Sequence, residues 1–384
     1  MASCTAIVLA AGRGNRFGEP TPKQYVELAG VPLLCHSLAA FEQHPDVDQI
    51  LPVIHTNDRQ QYDLLVAGPK TLAPAIGGQS RQESVRLGLE ALSSDPPDLV
   101  LIHDGVRPNP GTGVINRVMK ALKDGAQGVI PAIAIPDSIK RIDNEGVITE
   151  AVSRSNAVRA QTPQGFIFNL LLKAHQICAG DALTDDAAVF EKLGHRVSTV
   201  AGDETNIKVT ERNDISRIMD AISEVRTGTG FDVHRFETGK GLVLGGIPIP
   251  FEKRLVGHSD ADVVLHAAAD ALFGTIADGD IGVHFPPTDA TYKNAPSVMF
   301  VRSAIERLHQ VQGKLIHLDL TIICELPKLA PYRDAIRQNI ADIASVSRSR
   351  ISVKATTTEG LGFTGRGEGI ACQALATVKI MPPF

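Results

Sequence analysis

The 384-residue sequence contains no tryptophan, and aromatic residues make up only 4% of it. Proteins that bind single-stranded nucleic acid stack bases on aromatic side chains, so this mode of binding is not expected. The 38 basic and 43 acidic residues give a net charge of −5, and no long basic run occurs, which argues against a basic nucleic-acid-binding surface. We therefore predict that no nucleic acid is a partner.

Long apolar runs are also missing. No stretch approaches the roughly 18 to 20 apolar residues that span a bilayer, and the start MASCTAIVLAAG lacks the basic region of a signal peptide. The five cysteines are scattered without a C-x-x-C pair, which is typical of reduced thiols packed as small apolar side chains. We expect a cytoplasmic protein with no membrane partner and no disulfide framework.

Short apolar runs alternate with amphipathic helical patterns in the first 225 residues. Strands are predicted at residues 4–11, 49–55, 99–104, 128–135 and 196–200. Helices are predicted at residues 32–44, 81–92, 111–123 and 211–225. This alternation is typical of an α/β domain with a mostly parallel sheet.

The pattern restarts after residue 225 without a linker rich in proline, serine or charge. Strands are predicted at residues 229–235, 242–249, 315–324, 351–357 and 369–380, and helices at 261–277, 297–312 and 331–345. At roughly 100 to 200 residues per domain, the chain is long enough for two. We predict a first domain at residues 1–225 and a smaller α/β or α+β domain at residues 226–384.

A glycine loop follows the first predicted strand, where LAAGRGNRF (residues 9–17) precedes PKQ (residues 22–24). Gly12 and Gly14 let the backbone approach an anion closely and present N–H groups to it, and Arg16 and Lys23 add two cations. The stretch is neither a P-loop nor a Rossmann G-x-G-x-x-G, because position 17 is phenylalanine. The alternative is a tight turn without a ligand, which the neighbouring cations disfavour.

Several short sequence motifs in the first 225 residues together resemble those of the 2-C-methyl-D-erythritol 4-phosphate cytidylyltransferases. They are the glycine loop with PKQ, GGQSRQES (77–84), HDGVRP (103–108), TPQ (162–164) and NIKVT (206–210). The resemblance covers about the first 225 residues and implies a Rossmann-like nucleotidyltransferase domain. It implies that CTP is held by Gly12, Gly14, Arg16, Lys23, Gly78 and Ser84, that Asp104 binds ribose or helps to place Mg²⁺, and that methylerythritol phosphate is held by Arg107, Arg154, Thr162 and Lys208. Among these residues, Arg16, Lys23, Arg154 and Lys208 would take part in catalysis.

Single residues of this set also have ordinary structural explanations. Asp104 at a strand end is compatible with a structural turn, Arg154 with a surface cation, and Ser84 with a helix cap. Gln79 departs from the resembled family, which often has an aspartate beside the cytosine. Because an amide can also hydrogen-bond a base edge, we interpret Gln79 as a changed contact with cytosine.

The second half contains a predicted metal site. Asp232 and His234 are two apart on a predicted strand, so both side chains point to one face, and His266 lies on a predicted helix. One carboxylate and two imidazoles are a ligand set that leaves a catalytic zinc with an open position. We predict Zn²⁺ or another divalent metal here; for any single histidine, the alternative is a polar group satisfied near the core.

The stretch KATTTEGLGFTGRGE (residues 354–368) has the composition of a phosphate-binding loop. Its hydroxyl groups, including that of Thr357, and its glycine N–H groups suit phosphate oxygens. Glu359 offers an oxygen ligand for Mg²⁺, and Arg366 offers a cation. A glycine-rich hairpin without a ligand is the alternative explanation.

GFDVH (230–234), HSD (258–260), KATTTE (354–359) and FTGRGEGIA (363–371) together resemble the 2-C-methyl-D-erythritol 2,4-cyclodiphosphate synthases over about residues 226–384. The resemblance implies a metal on Asp232, His234 and His266 and Mg²⁺ near Glu359, with Thr357 and Glu359 in catalysis. The 2-phosphate of the substrate then attacks the β-phosphorus of its CDP group, and CMP leaves. The residues implied in substrate binding are His258, Ser259, Asp280, Lys328, Phe363 and Arg366.

The two resemblances together predict a bifunctional enzyme of the methylerythritol phosphate pathway to isoprenoid precursors. Its substrates would be CTP, methylerythritol phosphate and CDP-methylerythritol 2-phosphate, with Mg²⁺ needed in both reactions. The resemblance also implies a homo-oligomer, a trimer through the second domain that becomes a hexamer if the first domains dimerise. The intermediate phosphorylation would need a separate kinase.

Two alternatives predict different behaviour. A generic sugar-phosphate nucleotidyltransferase fused to a zinc phosphohydrolase would use water in its second domain and release CMP without a cyclic product. A non-catalytic scaffold whose nucleotide site is no longer functional would not need to retain the metal triad together with Lys23 and Lys208.

Overall fold

The computed structural model describes residues 2–13, 17, 21–65, 68–257, 259–286, 292 and 295–381. The chain divides into two compact units, residues 1–221 and 222–384, here called unit 1 and unit 2. Among the described helices, none combines the length and the apolar character needed to cross a membrane.

Unit 1 contains twelve strands and seven helices in its described part. The strands are β1 (Cys4–Ala10), β2 (Glu27–Leu28), β3 (Val31–Pro32), β4 (Gln49–Ile54), β5 (Ala75–Ile76), β6 (Leu99–Asp104), β7 (Gly128–Ala134), β8 (Ile139–Ile142), β9 (Ile148–Val152), β10 (Val158–Ala160), β11 (Gln164–Ile167) and β12 (Val197–Ala201). The helices are α1 (Leu33–Glu42), α2 (Arg59–Tyr62), α3 (Arg81–Ala91), α4 (Thr112–Lys123), α5 (Phe168–Ile177), α6 (Asp186–Lys192) and α7 (Arg212–Ile222).

The main sheet of unit 1 has the order β10-β7-β11-β6-β1-β4-β5, and β12 also pairs with β7. β1 runs parallel to β4 and β6, whereas β11 runs antiparallel to β6 and β7. The sheet is parallel at its centre, as predicted. The chain leaves β1 for β4 on one side and later returns to β6 on the other, so a crevice is expected beyond the carboxyl ends of these strands.

Apolar side chains cover both faces of this sheet. Along β1, Ala6 and Val8 belong to one core cluster with residues of α1 and α4, and Ile7 belongs to the other with residues of α3 and α5. Because successive strand residues point to opposite faces, a strand covered on both sides is apolar throughout. This explains why β1 is uninterruptedly apolar from Ala6 to Ala10 in the sequence.

Unit 2 contains seven strands and five helices in its described part. The strands are β13 (Glu224–Thr238), β14 (Leu242–Leu244), β15 (Ile247–Ile249), β16 (Lys253–Leu255), β17 (Lys314–Ile323), β18 (Ile351–Thr356) and β19 (Gly369–Ile380). The helices are α8 (Val263–Thr275), α9 (Ile281–His284), α10 (Val298–Gln310), α11 (Arg333–Ile343) and α12 (Gly362–Gly365).

The main sheet of unit 2 has the order β16-β13-β19-β17-β18, and α8, α10 and α11 contribute to the core beside it. α8 lies directly against β13, because a Cβ at Gly228 or Gly230 would overlap its backbone. Side chains that point to the other face remain exposed, including Phe231, Val233 and Leu375. One face of this sheet is therefore uncovered within a single chain.

The prediction of one strand at residues 242–249 was wrong. β14 and β15 form an antiparallel hairpin, and the two residues between them, Gly245 and Gly246, have φ angles of 60° and 75°. Glycine adopts this left-handed conformation without a steric penalty, and two-residue hairpin turns require it. The apolar residues on either side of the two glycines are the reason that the sequence predicts a single strand here.

The strand predicted at residues 229–235 is longer than expected, since β13 begins at Glu224. A cut after residue 225 would therefore remove the first two residues of this strand. The hairpin of β8 and β9 was not predicted, because most of its residues are exposed and no apolar face marks it.

Candidate active sites

A cavity of about 530 Å³ lies in unit 1 at the carboxyl ends of β1, β4 and β6. It is the position that the strand order favours for a ligand. Seven residues predicted from the sequence line it, namely Gly12, Lys23, Gly78, Gln79, Ser84, Asp104 and Lys208. Gly14 and Arg16 lie outside the described residues.

Asp104 supplies a negatively charged side chain to the wall of this cavity. Its Oδ2 atom lies 2.8 Å from Lys208 Nζ, and its Oδ1 atom lies 3.3 Å from Arg81 Nε. Burial alone raises the pKa of Asp104, but the charges of Arg81, Lys208 and Arg107 outweigh this and hold the pKa well below its usual range. The carboxylate is therefore ionised, and it keeps lone pairs for a hydroxyl group or a cation.

Ser84 fixes the turn that precedes α3. Its Oγ accepts a 3.1 Å hydrogen bond from the Gly78 N–H and donates a 2.8 Å bond to the Ser80 carbonyl. The N-cap of α3 is Ser80, whose Oγ accepts from the Glu83 N–H. The helix-cap explanation of Ser84 is therefore wrong, and its hydroxyl group holds Gly78 in place at the cavity wall.

Arg107 and Thr162 are not among the residues that line this cavity. Arg107 Nη1 donates a 2.7 Å hydrogen bond to the Asn206 carbonyl. Buried Thr162 accepts a 3.1 Å bond from the Asp104 N–H, and its Oγ1 lies 3.0 Å from His103 Nδ1. These contacts fix the end of β6, where Asp104 lies.

Arg154 lies elsewhere in unit 1. It follows β9, donates a hydrogen bond to the Pro136 carbonyl and lines a separate cavity of about 520 Å³ formed mainly by the ends of β7, β10 and β12. Within one chain, the structure does not bring Arg154 into the cavity that contains Asp104.

Arg81 was not predicted, although it lines the cavity. Its Nη1 atom lies 2.8 Å from Asp186 Oδ2, and the other oxygen of Asp186 lies 3.1 Å from His175 Nε2. Asp186 and His175 are both fully buried. The GGQSRQES motif contains Arg81, but its partner Asp186 is far away in the sequence, so no local pattern indicated the network.

Replacement of Arg81 with leucine is expected to destabilise unit 1 by about 3 kcal/mol, because Asp186 would keep a buried charge without its guanidinium partner. Arg59→Leu is the matched control, since Arg59 pairs with Asp63 on the surface and such pairs contribute little. Hydrogen exchange resolved by mass spectrometry should show faster exchange of β6 amides in the Arg81 variant alone. Equal protection in the two variants would contradict the prediction.

In unit 2, Asp232, His234 and His266 converge at one point. Asp232 Oδ2 lies 3.0 Å from His234 Nε2 and 2.9 Å from His266 Nδ1, and one ligand atom from each residue lies within 4.8 Å of the others. In the part of the chain that the structure describes, no other group of histidine, cysteine and acidic residues is arranged to hold a metal ion.

Hydrogen bonds orient both imidazoles of this cluster. His234 Nδ1 donates to the Val256 carbonyl at 2.8 Å, which leaves the lone pair on Nε2. His266 Nε2 lies 3.0 Å from Ser259 Oγ and 2.9 Å from Ser297 Oγ, on the side of the ring away from Asp232. Such outer contacts fix the tautomer of metal-binding histidines. The arrangement therefore fits a divalent metal.

The ionisable groups of the cluster interact strongly. Burial raises the pKa of Asp232, but the hydrogen bonds and charges of His234 and His266 outweigh this and lower it. Burial lowers the pKa of His234, and the hydrogen bond and charge of Asp232 reverse this so that the net shift is upward. A carboxylate ionised over a wide pH range suits a cation ligand.

Asp262 positions the helix that carries His266. This buried carboxylate caps α8 through the Val264 and Leu265 N–H groups, and it also accepts from the Gly245 and Gly246 N–H groups of the β14–β15 turn. Burial raises the pKa of Asp262 to about 6 despite these hydrogen bonds. Its bonds tie the start of α8 to the hairpin, one helical turn before His266.

The predicted phosphate loop lies at another corner of unit 2. Thr357 follows β18 and donates a 2.6 Å hydrogen bond to Glu359 Oε1, and Phe363 lies in α12. Arg366 pairs with Glu368. Glu325 accepts from the Thr358 and Gly360 N–H groups, which ties this loop to the exposed Lys328 loop after β17.

The metal cluster and the phosphate loop are separated across the sheet. Asp232 pairs with Cys372, Cys372 with Ile322, and Ile322 with Ala355, so three strand spacings lie between Asp232 and Ala355, or about 14 Å.

Of the other residues predicted to bind the substrate of unit 2, Asp280 caps α9 and accepts a hydrogen bond from the Val283 N–H. His258 lies outside the described residues.

Comparisons with known proteins agree with this two-part organisation. A family model described as 2-C-methyl-D-erythritol 4-phosphate cytidylyltransferase matches residues 4–223, and a model described as the YgbB family matches residues 225–379. Together they cover nearly the whole chain.

Two relatives with the name "Bifunctional enzyme IspD/IspF" align over almost their entire length. The protein of Paramagnetospirillum magneticum is 50% identical over 382 residues, which are 98% of this chain and 99% of the relative. That of Rhodospirillum rubrum is 48% identical over 388 residues and covers 100% of both chains. A solved structure described as the bifunctional IspDF from Campylobacter jejuni is 30% identical, covers 99% of both chains and has a TM-score of 0.48.

Proposed function

The chain belongs to the family of bifunctional IspD/IspF enzymes, and from this premise we propose which residues carry out its two reactions. The cytidylyltransferase activity transfers CMP from CTP to 2-C-methyl-D-erythritol 4-phosphate and releases diphosphate. The cyclodiphosphate synthase activity converts CDP-methylerythritol 2-phosphate into the cyclic diphosphate and CMP. Both reactions belong to the biosynthesis of isoprenoid precursors.

The cavity of unit 1 is the site of cytidylyl transfer. A phosphate oxygen of methylerythritol phosphate attacks the α-phosphorus of CTP, the bond from the α-phosphorus to the bridging oxygen breaks, and diphosphate leaves. The attacking phosphate is already an anion, so no general base is needed. Lys23, Lys208 and Arg16 offset the repulsion between the two substrates, and Asp104 would hold Mg²⁺, which supplies further positive charge at the phosphates.

The converged ligands Asp232, His234 and His266 are the observation that carries the assignment of cyclisation to unit 2. They would hold Zn²⁺, and Glu359 would hold Mg²⁺; both ions act as Lewis acids on the diphosphate when bound. Ser259, His258 and Asp280 position the methylerythritol portion. Lys328, Thr357, Phe363 and Arg366 bind the CDP portion, whose release as CMP completes the reaction.

The spacing of these groups supports a trimer of unit 2. Asp232 and Ala355, the strand residue two before Thr357, are three strand spacings or about 14 Å apart in one chain, too far for the two groups to act together on one diphosphate. The uncovered face with Phe231, Val233 and Leu375 provides apolar contact area for other copies. In the assembly we propose, the loop of one chain completes the site that contains the metal ligands of the next.

The position of Arg154 likewise supports a dimer of unit 1. Its side chain lies near the exposed hairpin of β8 and β9 and outside the cavity of its own chain. A catalytic role for Arg154 therefore requires that it reach the cavity of a second copy. Trimers through unit 2 and dimers through unit 1 together give a hexamer.

Substitution of Phe231 by aspartate is expected to break the trimer, because it introduces a charge on the apolar sheet face. Cyclase activity should fall at least about tenfold when the shared site is lost, while metal content persists because the three ligands come from one chain. Val311→Asp is the control, since Val311 is exposed beyond α10. Sedimentation, metal analysis and assays would test this; an active monomer would contradict the shared site.

The function itself is tested by incubating the full chain with CTP, Mg²⁺ and methylerythritol phosphate, with and without the separate kinase and ATP. We expect CDP-methylerythritol and diphosphate without the kinase, and cyclic diphosphate with CMP when it is present. Release of CMP without a cyclic product would support the phosphohydrolase alternative. Absence of any CTP-dependent product would contradict the assignment of unit 1.

A further inference from the structure

A cluster at the β4 side of the cavity in unit 1 has no role in the assignments above. His55 directly follows β4 and lines the cavity together with Arg13 of the glycine loop. Arg13 Nη2 lies 2.8 Å from Asp58 Oδ1 and 2.6 Å from His55 Nδ1. Asp58 is 3% exposed, and its other oxygen accepts a 3.2 Å bond from Gln24 Nε2. Arg13 is thereby fastened to His55 and Asp58.

The contacts of His55 determine its tautomer. A guanidinium group only donates hydrogen bonds, so His55 Nδ1 accepts from Arg13. The Asn57 N–H donates to the same nitrogen at 3.1 Å. With two donors directed at Nδ1, the ring proton of His55 lies on Nε2. No hydrogen bond joins Nε2 to any residue within the described part of the chain, so its N–H is available to a ligand.

The position of His55 relative to β1 indicates which part of a ligand it meets. Asp104 and its partner Lys208, which we assign to Mg²⁺ and to methylerythritol phosphate, lie on the β6 side of β1, and His55 lies on the β4 side. Displacement at phosphorus places the attacking and leaving oxygens roughly in line. An attacking phosphate on the β6 side would therefore direct the leaving diphosphate towards β4.

We propose that His55 is a nucleotide-binding residue whose Nε2–H donates a hydrogen bond to an oxygen of the β- or γ-phosphate of CTP. Arg13 and Asp58 act through it, because they hold the ring in the tautomer and orientation that present this donor. The proposal rests on the cytidylyltransferase function of unit 1. It adds a neutral donor to the cations that bind the triphosphate.

The test uses His55→Phe and His55→Gln in the full chain. Phenylalanine keeps a planar ring without a donor, and glutamine places an amide N–H near the position of Nε2; neither provides the Nδ1 acceptor. For the phenylalanine variant we expect the KM for CTP to rise about 10- to 100-fold, as for loss of a hydrogen bond to a charged group. The glutamine variant should recover most of this loss.

Inorganic diphosphate identifies the phosphate contact, because it competes for the same region without a nucleoside. Its inhibition constant should rise in parallel with the KM for CTP in His55→Phe, and the KM for methylerythritol phosphate should not change. His195→Phe is the matched control, since His195 stacks on Phe190 away from the cavity. The unchanged KM for methylerythritol phosphate also reports that unit 1 of each variant is folded.

Two results would overturn the proposal. Equal KM values for the phenylalanine and glutamine variants would show that the donor is not the cause, and unchanged inhibition by diphosphate would show that the contact is not with these phosphates. Failure of the underlying function is distinguishable, because the unsubstituted chain would then transfer no CMP at all.

Discussion

Replacement of His234 or His266 with alanine is expected to abolish stoichiometric metal binding by unit 2 and to lower cyclisation by more than about 100-fold. Loss of an outer hydrogen-bond partner of a metal ligand typically costs 10- to 100-fold, and loss of the ligand itself removes a coordination bond. In each variant the remaining imidazole and Asp232 would have to hold the ion alone. Metal analysis by mass spectrometry and chromatography of the products would measure both effects.

His309→Ala is the matched control for these variants, since His309 is exposed on α10. It should retain about one equivalent of zinc per chain. Cytidylyl transfer should persist in all three variants, because unit 1 contains its own site. Unchanged zinc content in both ligand variants would place the metal elsewhere, whereas lost metal with full cyclisation would contradict the catalytic role of the ion.

Alanine at Lys23 or Lys208 is expected to lower the rate of cytidylyl transfer about 10²- to 10³-fold, as for loss of one preorganised charged donor. Lys208 Nζ lies 2.8 Å from Asp104, and Lys23 Nζ donates a 3.2 Å hydrogen bond to the Val209 carbonyl. Both ammonium groups are therefore held at the cavity wall before substrate arrives. Steady-state assays with CTP and methylerythritol phosphate would measure the loss.

The control for the lysine variants is Lys120→Ala, which removes an exposed ion pair with Asp124. This variant should keep full transferase activity, and all three should keep cyclase activity. A lysine variant with unimpaired transfer would show that its charge does not act on the transition state. Parallel loss of both activities would instead indicate damage to the whole chain.

Local patterns were sufficient to predict about half of the strands and helices that the described residues form. The predicted strand at residues 99–104 coincides with β6, and that at residues 369–380 coincides with β19. Period-2 and period-3.6 patterns arise because neighbouring residues share a face of one element. The hairpin at β14 and β15 was missed where two glycines reverse the chain inside an apolar run.

Among the residues of the candidate sites, only those that belong to a recognisable sequence motif were predicted. Asp232 and His234 share a strand face, and His266 lies on a predicted helix, so residue type and spacing were enough to predict a metal site. The partners that orient these ligands, such as the Val256 carbonyl and Ser297, carry no local signal. The contact of Arg81 with Asp186 and that of Arg13 with Asp58 were missed for the same reason.

By itself, the sequence determined the α/β class and the two-part organisation, and it predicted an anion-binding glycine loop and the three candidate metal ligands. Each of these depends on residue types at short spacing, which the local backbone converts directly into a shared face or loop. Only the tertiary structure decided that His55 lines the cavity with its Nδ1 in contact with Arg13 and Asn57, and that the metal cluster and the Thr357 loop lie at separate corners of one sheet. Those facts depend on strand order and on contacts between distant segments, and no periodicity along the chain encodes either one.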